Sequence, residues 1–315
     1  MRCRQAHSTA GTSRLTAAMV LVVAALGLAG VACGSGVGAS GGGNAIRMVA
    51  DENFWGSLVT QLGGSHVSVT SIVTDPNTDP HDYQSSASNA RTFATAQYVI
   101  ENGAGYDNWA DSLLSANQSG GRTVLKVADL LDKKEGDNPH FWYGPSYVER
   151  VADRITSDLK SIDSADSQYF GDQRAAFESA LKPYHDRIAA IKQQFSGRKV
   201  AATESIFVYM ASALGLDLIS PPEFMQAVAE GNDPPADTVT EFQQQLQNKE
   251  ATVLVFNEQT ATDVTTNLKQ IATQQNIPVV GVTETIQPPD TSFQLWMVGE
   301  LNDLQNALDA SHLSQ

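Results

Sequence analysis

The sequence predicts an α/β protein with parallel sheets, laid down in two halves. Three observations carry this. Short apolar, strand-like runs alternate with amphipathic helical stretches from Ala45 to Ala116. A long helical stretch, Ala165 to Phe195, interrupts that alternation, and at Lys199 it starts again and continues to the C-terminal helix. The two halves share an architecture of four or so β/α units each. At 315 residues, with 42% hydrophobic and 17% charged residues, the chain is long enough for two domains with a buried core. In an open parallel sheet, ligands gather at the carboxyl ends of the strands, so residues just after a strand merit a close look.

The chain opens with a targeting segment. Arg2, Arg4 and Arg14 make a basic start, and Leu15 to Ala32 is apolar or small throughout. Ala29-Gly30-Val31-Ala32-Cys33 looks like a bacterial lipobox, with Gly30 where leucine is commonest. This predicts a signal peptide over residues 1–32, lipid modification of Cys33, and a flexible Gly/Ser tether to residue 44. An uncleaved anchor and ordinary signal-peptidase cleavage are the alternatives. A lipid anchor and a flexible tether together describe a soluble domain held at the outer face of the cell membrane. No cysteine follows Cys33, so the domains have neither a disulfide framework nor a thiolate metal site. The net charge is −15, and the three leader arginines leave −18 on the remainder. That acidity disfavours nucleic acid as a partner and suits a cationic ligand.

Ala45 to Ala50 reads as the first strand. Phe54, Trp55, Leu58 and Leu62 line one side of a helix over Asn53 to Leu62, which Gly63-Gly64 stops. Val67 to Val73 alternates as a second strand and runs into the loop Thr74 to His81. A short helix over Ser86 to Ala96, a strand over Tyr98 to Asn102 and a helix over Tyr106 to Ala116 follow. Pro145 to Ile162 is helical. In Ala165 to Phe195, Tyr169, Phe177, Leu181, Tyr184, Ile188, Ile191 and Phe195 recur at three- and four-residue steps, and Pro183 predicts a kink or break. This stretch reads either as a rod joining two lobes or as two ordinary helices of one domain. Beyond it, strands are expected over Lys199 to Thr203, Leu216 to Ser220, Thr252 to Phe256 and Pro278 to Val282. Helices are expected over Phe207 to Leu214, Ala236 to Lys249, Asp263 to Gln274 and Asp290 to Ala310.

The residues that bear chemistry are few. Asp79-Pro80-His81-Asp82-Tyr83 and Asn138-Pro139-His140-Phe141-Trp142 each place a histidine after a proline, on a loop stiffened by the fixed proline φ. A stiff loop suits a metal ligand, although X-Pro is also an ordinary turn signal. Asp79 and Asp82 could orient the His81 ring. His7, His66, His185 and His312 read as solvated or structural. Glu204 and Glu284 each follow a strand directly, and Glu258 competes with Glu284. Two imidazoles and two carboxylates can enclose one divalent ion: zinc accepts the set tetrahedrally, and carboxylates move preference toward Mn²⁺. There is no His-Glu-x-x-His, Gly-x-Ser-x-Gly or phosphate-binding glycine loop, which argues against an enzyme.

Asp-Pro-His, then Asn-Pro-His-Phe-Trp before a helix, then a Glu opening the second half and an acid before the last helix, resemble the zinc- and manganese-binding lipoproteins of ABC importers (the cluster 9, or A-I, solute-binding proteins). The resemblance spans about residues 45 to 310. It implies two Rossmann-like lobes, 45–164 and 198–315, joined by one linker helix over 165–197, with the metal between them. By position it implies His81, His140, Glu204 and Glu284 as ligands of Mn²⁺ or Zn²⁺, an ABC permease as partner, and a monomer. The fourth ligand in that family is usually Asp. The Glu at the third position matches its manganese members, and the histidine-rich loop of many zinc members is replaced by Leu131 to Asp137, which has no histidine. A chelated-metal binder or adhesin of the same fold, and a secreted zinc hydrolase, are the alternatives.

Overall fold

Two sheets with the same strand order organise the molecule. The computed structural model describes residues 45–313, so the expected signal peptide, Cys33 and the tether to residue 44 lie outside the described residues. The first sheet contains β1 (Ile46–Glu52), β2 (Val67–Val73), β3 (Tyr98–Glu101) and β4 (Thr123–Lys126), all parallel, in the order β2-β1-β3-β4. Around it run α1 (Asn53–Gly63), α2 (Ala87–Thr95), α3 (Asn108–Ala116), α4 (Val127–Leu130) and α5 (Pro145–Ile162). Period-two alternation buries both faces. Met48 and Ala50 join the main core, whereas Val49 between them packs with Phe93, Val99 and Leu113 on the other side. Gly64 ends α1 at φ 52°, and a Cβ there would lie 2.2 Å from the Tyr169 hydroxyl, so both conformation and space require glycine.

One helix, α6 (Ser167–Phe195), connects the halves: 29 residues, roughly 44 Å at 1.5 Å per residue. The break expected at Pro183 does not occur. Pro183 and Ser179, whose carbonyl loses its helical partner, are both exposed, so water can replace the missing N–H. Phe177, Leu181, Tyr184, Ile191 and Phe195 are buried along the opposite stripe.

The second sheet repeats the first. It contains β5 (Lys199–Ala202), β6 (Asp217–Leu218), β7 (Leu254–Asn257) and β8 (Val279–Val282), again parallel, in the order β6-β5-β7-β8. Its helices are α7 (Val208–Leu214), α8 (Pro222–Ala229), α9 (Ala236–Gln247), α10 (Asp263–Gln274) and α11 (Phe293–Leu313). Sequence reading missed β4, the single-turn α4 that follows it, and α8. Thr123–Lys126 is too short to show a period, and Pro221-Pro222 reads as a loop although proline fits the first turn of a helix, as in α8. One apolar core runs through both lobes, from Phe54 and Trp142 to Tyr184, Phe207 and Trp296. Polar clasps reinforce that seam. Asn53 exchanges two hydrogen bonds with the backbone of Ile286 at 2.9 and 3.2 Å, and Gln259 donates to the Thr78 carbonyl at 3.0 Å. Among the described residues, no helix is long and apolar enough to cross a membrane.

Candidate metal centre

Both sheets point their carboxyl ends at the seam, and the loops leaving them deliver four side chains to one place. His81 sits in a 3-10 turn, Pro80–Asp82, which Asp79 caps by accepting from the His81 backbone N–H at 2.9 Å. Asp79 therefore acts on the backbone of His81. His140 follows Pro139 and is fully buried. The Asn138 side-chain oxygen accepts from the His140 backbone N–H at 3.0 Å and from ring Nδ1 at 2.7 Å. The Asn138 amide nitrogen must donate in the other direction, to the Ser205 carbonyl at 2.7 Å, which fixes the amide's orientation. Nδ1 thus carries the hydrogen, and the Nε2 lone pair is left facing the cluster. Trp142 and Tyr106 wall the ring in, with centroids 5.2 and 6.0 Å away.

Glu204 follows β5 and caps a 3-10 turn, its Oε2 accepting from Ile206 N–H at 3.1 Å. Glu284 follows β8, and its backbone N–H donates to Gln259 at 2.8 Å. Glu284 Oε2 accepts from the Tyr106 hydroxyl at 2.6 Å, and its Oε1 accepts from Asn257 at 2.8 Å. Neither carboxylate is exposed at all.

The reactive atoms converge. His81 Nε2 lies 3.6 Å and His140 Nε2 3.7 Å from Glu284 Oε2, and donor atoms of these three residues all lie within 4.8 Å of one another. Glu204 Oε1 lies 3.5 Å from His140 Nε2, but Glu204 falls outside that 4.8 Å group. Both Nε2 atoms are buried without a hydrogen-bond partner. Left as bare lone pairs in a protein interior such nitrogens are costly, and either a proton, which would pair them with the facing carboxylates, or a cation removes that cost. Burial would raise the Glu284 pKa, yet the imidazoles of His81 and His140 and the Tyr106 hydroxyl hold it down to about 2. Burial pushes Glu204 up and the Glu284 charge adds to this, with His140 opposing. Burial works against a charged His140, but the two carboxylates facing it raise its pKa.

Glu258 points elsewhere: it is exposed, and its side chain packs over Gly281 on the outside of the sheet. His66 pairs with Asp166 at 3.2 Å and His185 with Glu149 at 3.2 Å, both near the surface, as structural histidines do. His7 and the His312 side chain are outside the described part. A cleft of about 610 Å³ opens beside His81, with Glu135, Asp137 and Glu230 among its lining residues. Sequence reading missed Tyr106, Asn257 and Gln259, and took Asn138 only as a turn former. Their signal is three-dimensional: Tyr106 and Glu284 are 178 positions apart.

Twin parallel-sheet lobes on one long helix, meeting at a buried imidazole–carboxylate cluster, define the class: a two-lobed solute-binding protein, not an enzyme. Residues 48–307 match the model of the family described as zinc-uptake complex component A, periplasmic, and the chain belongs to that family. It is 23% identical over 225 residues to the manganese ABC transporter substrate-binding lipoprotein PsaA of Streptococcus pneumoniae, covering 64% of this chain and 70% of that protein. It is also 23% identical over 167 residues to the iron-binding protein YfeA of Yersinia pestis, covering 50% and 53%. Among solved structures, the Mn-bound form of a periplasmic metal-binding protein from Candidatus Liberibacter asiaticus superposes with a TM-score of 0.69. There the identity is 16%, with 83% of this chain and 99% of that one covered. The solute-binding protein FpvC of Pseudomonas aeruginosa in complex with Mn²⁺ gives 0.70 at 17% identity, covering 85% and 99%. At such identities the likeness is one of fold. The hydrolase and adhesin alternatives find no support in these matches.

Proposed function

We propose that this protein captures one divalent transition-metal ion, Mn²⁺ or Zn²⁺, outside the membrane and hands it to the permease of an ABC importer. Nε2 of His81 and His140 and the carboxylates of Glu204 and Glu284 would hold the ion between the lobes. The observation that carries this is the pair of buried, unpartnered Nε2 atoms facing carboxylate oxygens at 3.5–3.7 Å. Two neutral imidazoles and two carboxylates balance a divalent charge, and no position in the cluster requires a proton-transfer role. The names of the relatives support a metal cargo and differ on which ion, manganese or iron. Lipid modification of Cys33, after removal of residues 1–32, would keep the lobes beside the permease through the tether that ends at residue 44.

Calorimetry and elemental analysis of tag-free, metal-free protein test the reading. One ion per chain is expected, with binding abolished by combining His81→Ala and His140→Ala. Stoichiometric binding retained by that double variant would refute it. For the anchor, mass spectrometry of the membrane-extracted protein should find an acylated Cys33 at the N-terminus.

A further inference from the structure

Asn257 ends β7, the strand between β5, which leads to Glu204, and β8, which leads to Glu284. It is 1% exposed. Its Nδ2 donates to both carboxylates, to Glu204 Oε2 at 3.1 Å and to Glu284 Oε1 at 2.8 Å. These are the outer oxygens. The inner ones, Glu204 Oε1 and Glu284 Oε2, are those that face the imidazoles at 3.5–3.7 Å. Glu204 Oε2 also accepts from Ile206 N–H at 3.1 Å, so it is engaged twice. Asn257 cannot readily turn away: its own oxygen accepts from Gln259 N–H at 3.1 Å, and its backbone N–H donates to Thr203 at 3.2 Å.

The consequence is a donor count. The inner oxygens accept as well, Glu284 Oε2 from the Tyr106 hydroxyl at 2.6 Å and Glu204 Oε1 from the Ser205 hydroxyl at 3.1 Å, so orientation decides the count: the amide turns one oxygen of each glutamate away from the imidazoles and leaves one facing them. Two nitrogens and two oxygens make four donors. A tetrahedron with bonds of 2.0–2.2 Å has edges of roughly 3.3–3.6 Å, close to the 3.5–3.7 Å that separates His140 Nε2 from both glutamates and His81 Nε2 from Glu284. Mn²⁺ favours six positions and oxygen ligands, so it gains most when a carboxylate closes on it with both oxygens. We propose that Asn257 is a specificity-determining residue, which keeps Glu204 and Glu284 to one oxygen each and so biases the site toward a four-coordinate ion such as Zn²⁺ over Mn²⁺. This rests on the assignment of Glu204 and Glu284 as ligands.

The test compares wild type with Asn257→Ala, and with Asn257→Ser, which is too short to span both carboxylates and serves if the alanine variant does not fold. Zn²⁺ and Mn²⁺ affinities are measured separately, and Co²⁺ absorption reports coordination number. Wild type should show the intense visible bands of four-coordinate Co²⁺. In the variants those bands should weaken, and the ratio of Zn²⁺ to Mn²⁺ affinity should fall by about tenfold or more. An unchanged ratio with unchanged bands, or an equal loss for both ions, overturns the role of Asn257. Wild-type binding by His140→Ala or Glu284→Ala would instead overturn the ligand assignment beneath it.

Discussion

Asn138 divides its side chain between two tasks. Its oxygen steadies the His140 ring, and its nitrogen grips the Ser205 carbonyl in the other lobe. Replacement by Ala should lower metal affinity about 10–100-fold without unfolding the protein, because the ring loses its fixed tautomer and direction. Calorimetry checks this, and an affinity within threefold of wild type would contradict it. Glu284→Ala should be far more damaging to binding than Glu258→Ala, which should leave affinity unchanged because its side chain lies on the outside of the sheet. At this scale the candidate ligands were legible and their supports were not. His81 and His140 announce themselves through the preceding proline, and Glu204 and Glu284 through the strand they follow. Asn257 and Tyr106 carry no local mark, since their partners in the site lie between 27 and 178 positions away.

Strands and helices were mostly legible because their periods are strong, as in β2 and α5, whose bounds follow directly from alternation and from Pro145. Where the pattern is short, as in β4, pairing partners rather than sequence decide. Pro183 is a second such case: local preference argued for a break, and packing of the buried stripe of α6 overrides it. Pro183→Ala should therefore stabilise the protein by about 1–2 kcal/mol, since it restores a helical hydrogen bond on the solvent side. That corresponds to a rise in Tm of several degrees in a thermal melt, and a fall would mean the proline relieves some strain. The ends of β1 and β3 hold another element-scale feature. Asp51, Glu52, Glu101 and the nearby Asp107 are all buried. Burial, and then the Asp107 charge, push Glu101 to about 7 despite Lys126 at 3.1 Å. The unfolded chain releases that proton near pH 4.5. Between these values the folded state binds the extra proton, so stability falls as pH rises through about 7. Metal-free protein should resist urea better at about pH 5.5 than at pH 8, and Glu101→Gln should flatten that slope; a slope unchanged by the substitution would rule out Glu101 as its source.

The whole molecule joins two copies of one topology through a single helix and a polar seam. Because the candidate ligands come from both lobes, an ion bound there stabilises the closed arrangement as a whole. At a hundredfold excess over Kd the gain is about 2.7 kcal/mol, visible as a higher Tm that a chelator reverses and the His81→Ala, His140→Ala variant lacks. No shift in wild type would argue that the ion does not bridge the lobes. The seam contact of Asn138 has a thermodynamic corollary. If a closed Asn138–Ser205 contact raises affinity for the ion by some factor, the ion must strengthen that contact by the same factor. Cargo and closure are then reciprocal. Anything that prises the lobes apart at Ser205 loosens the imidazole at once, and a loaded protein resists being prised in proportion to how tightly it holds its ion.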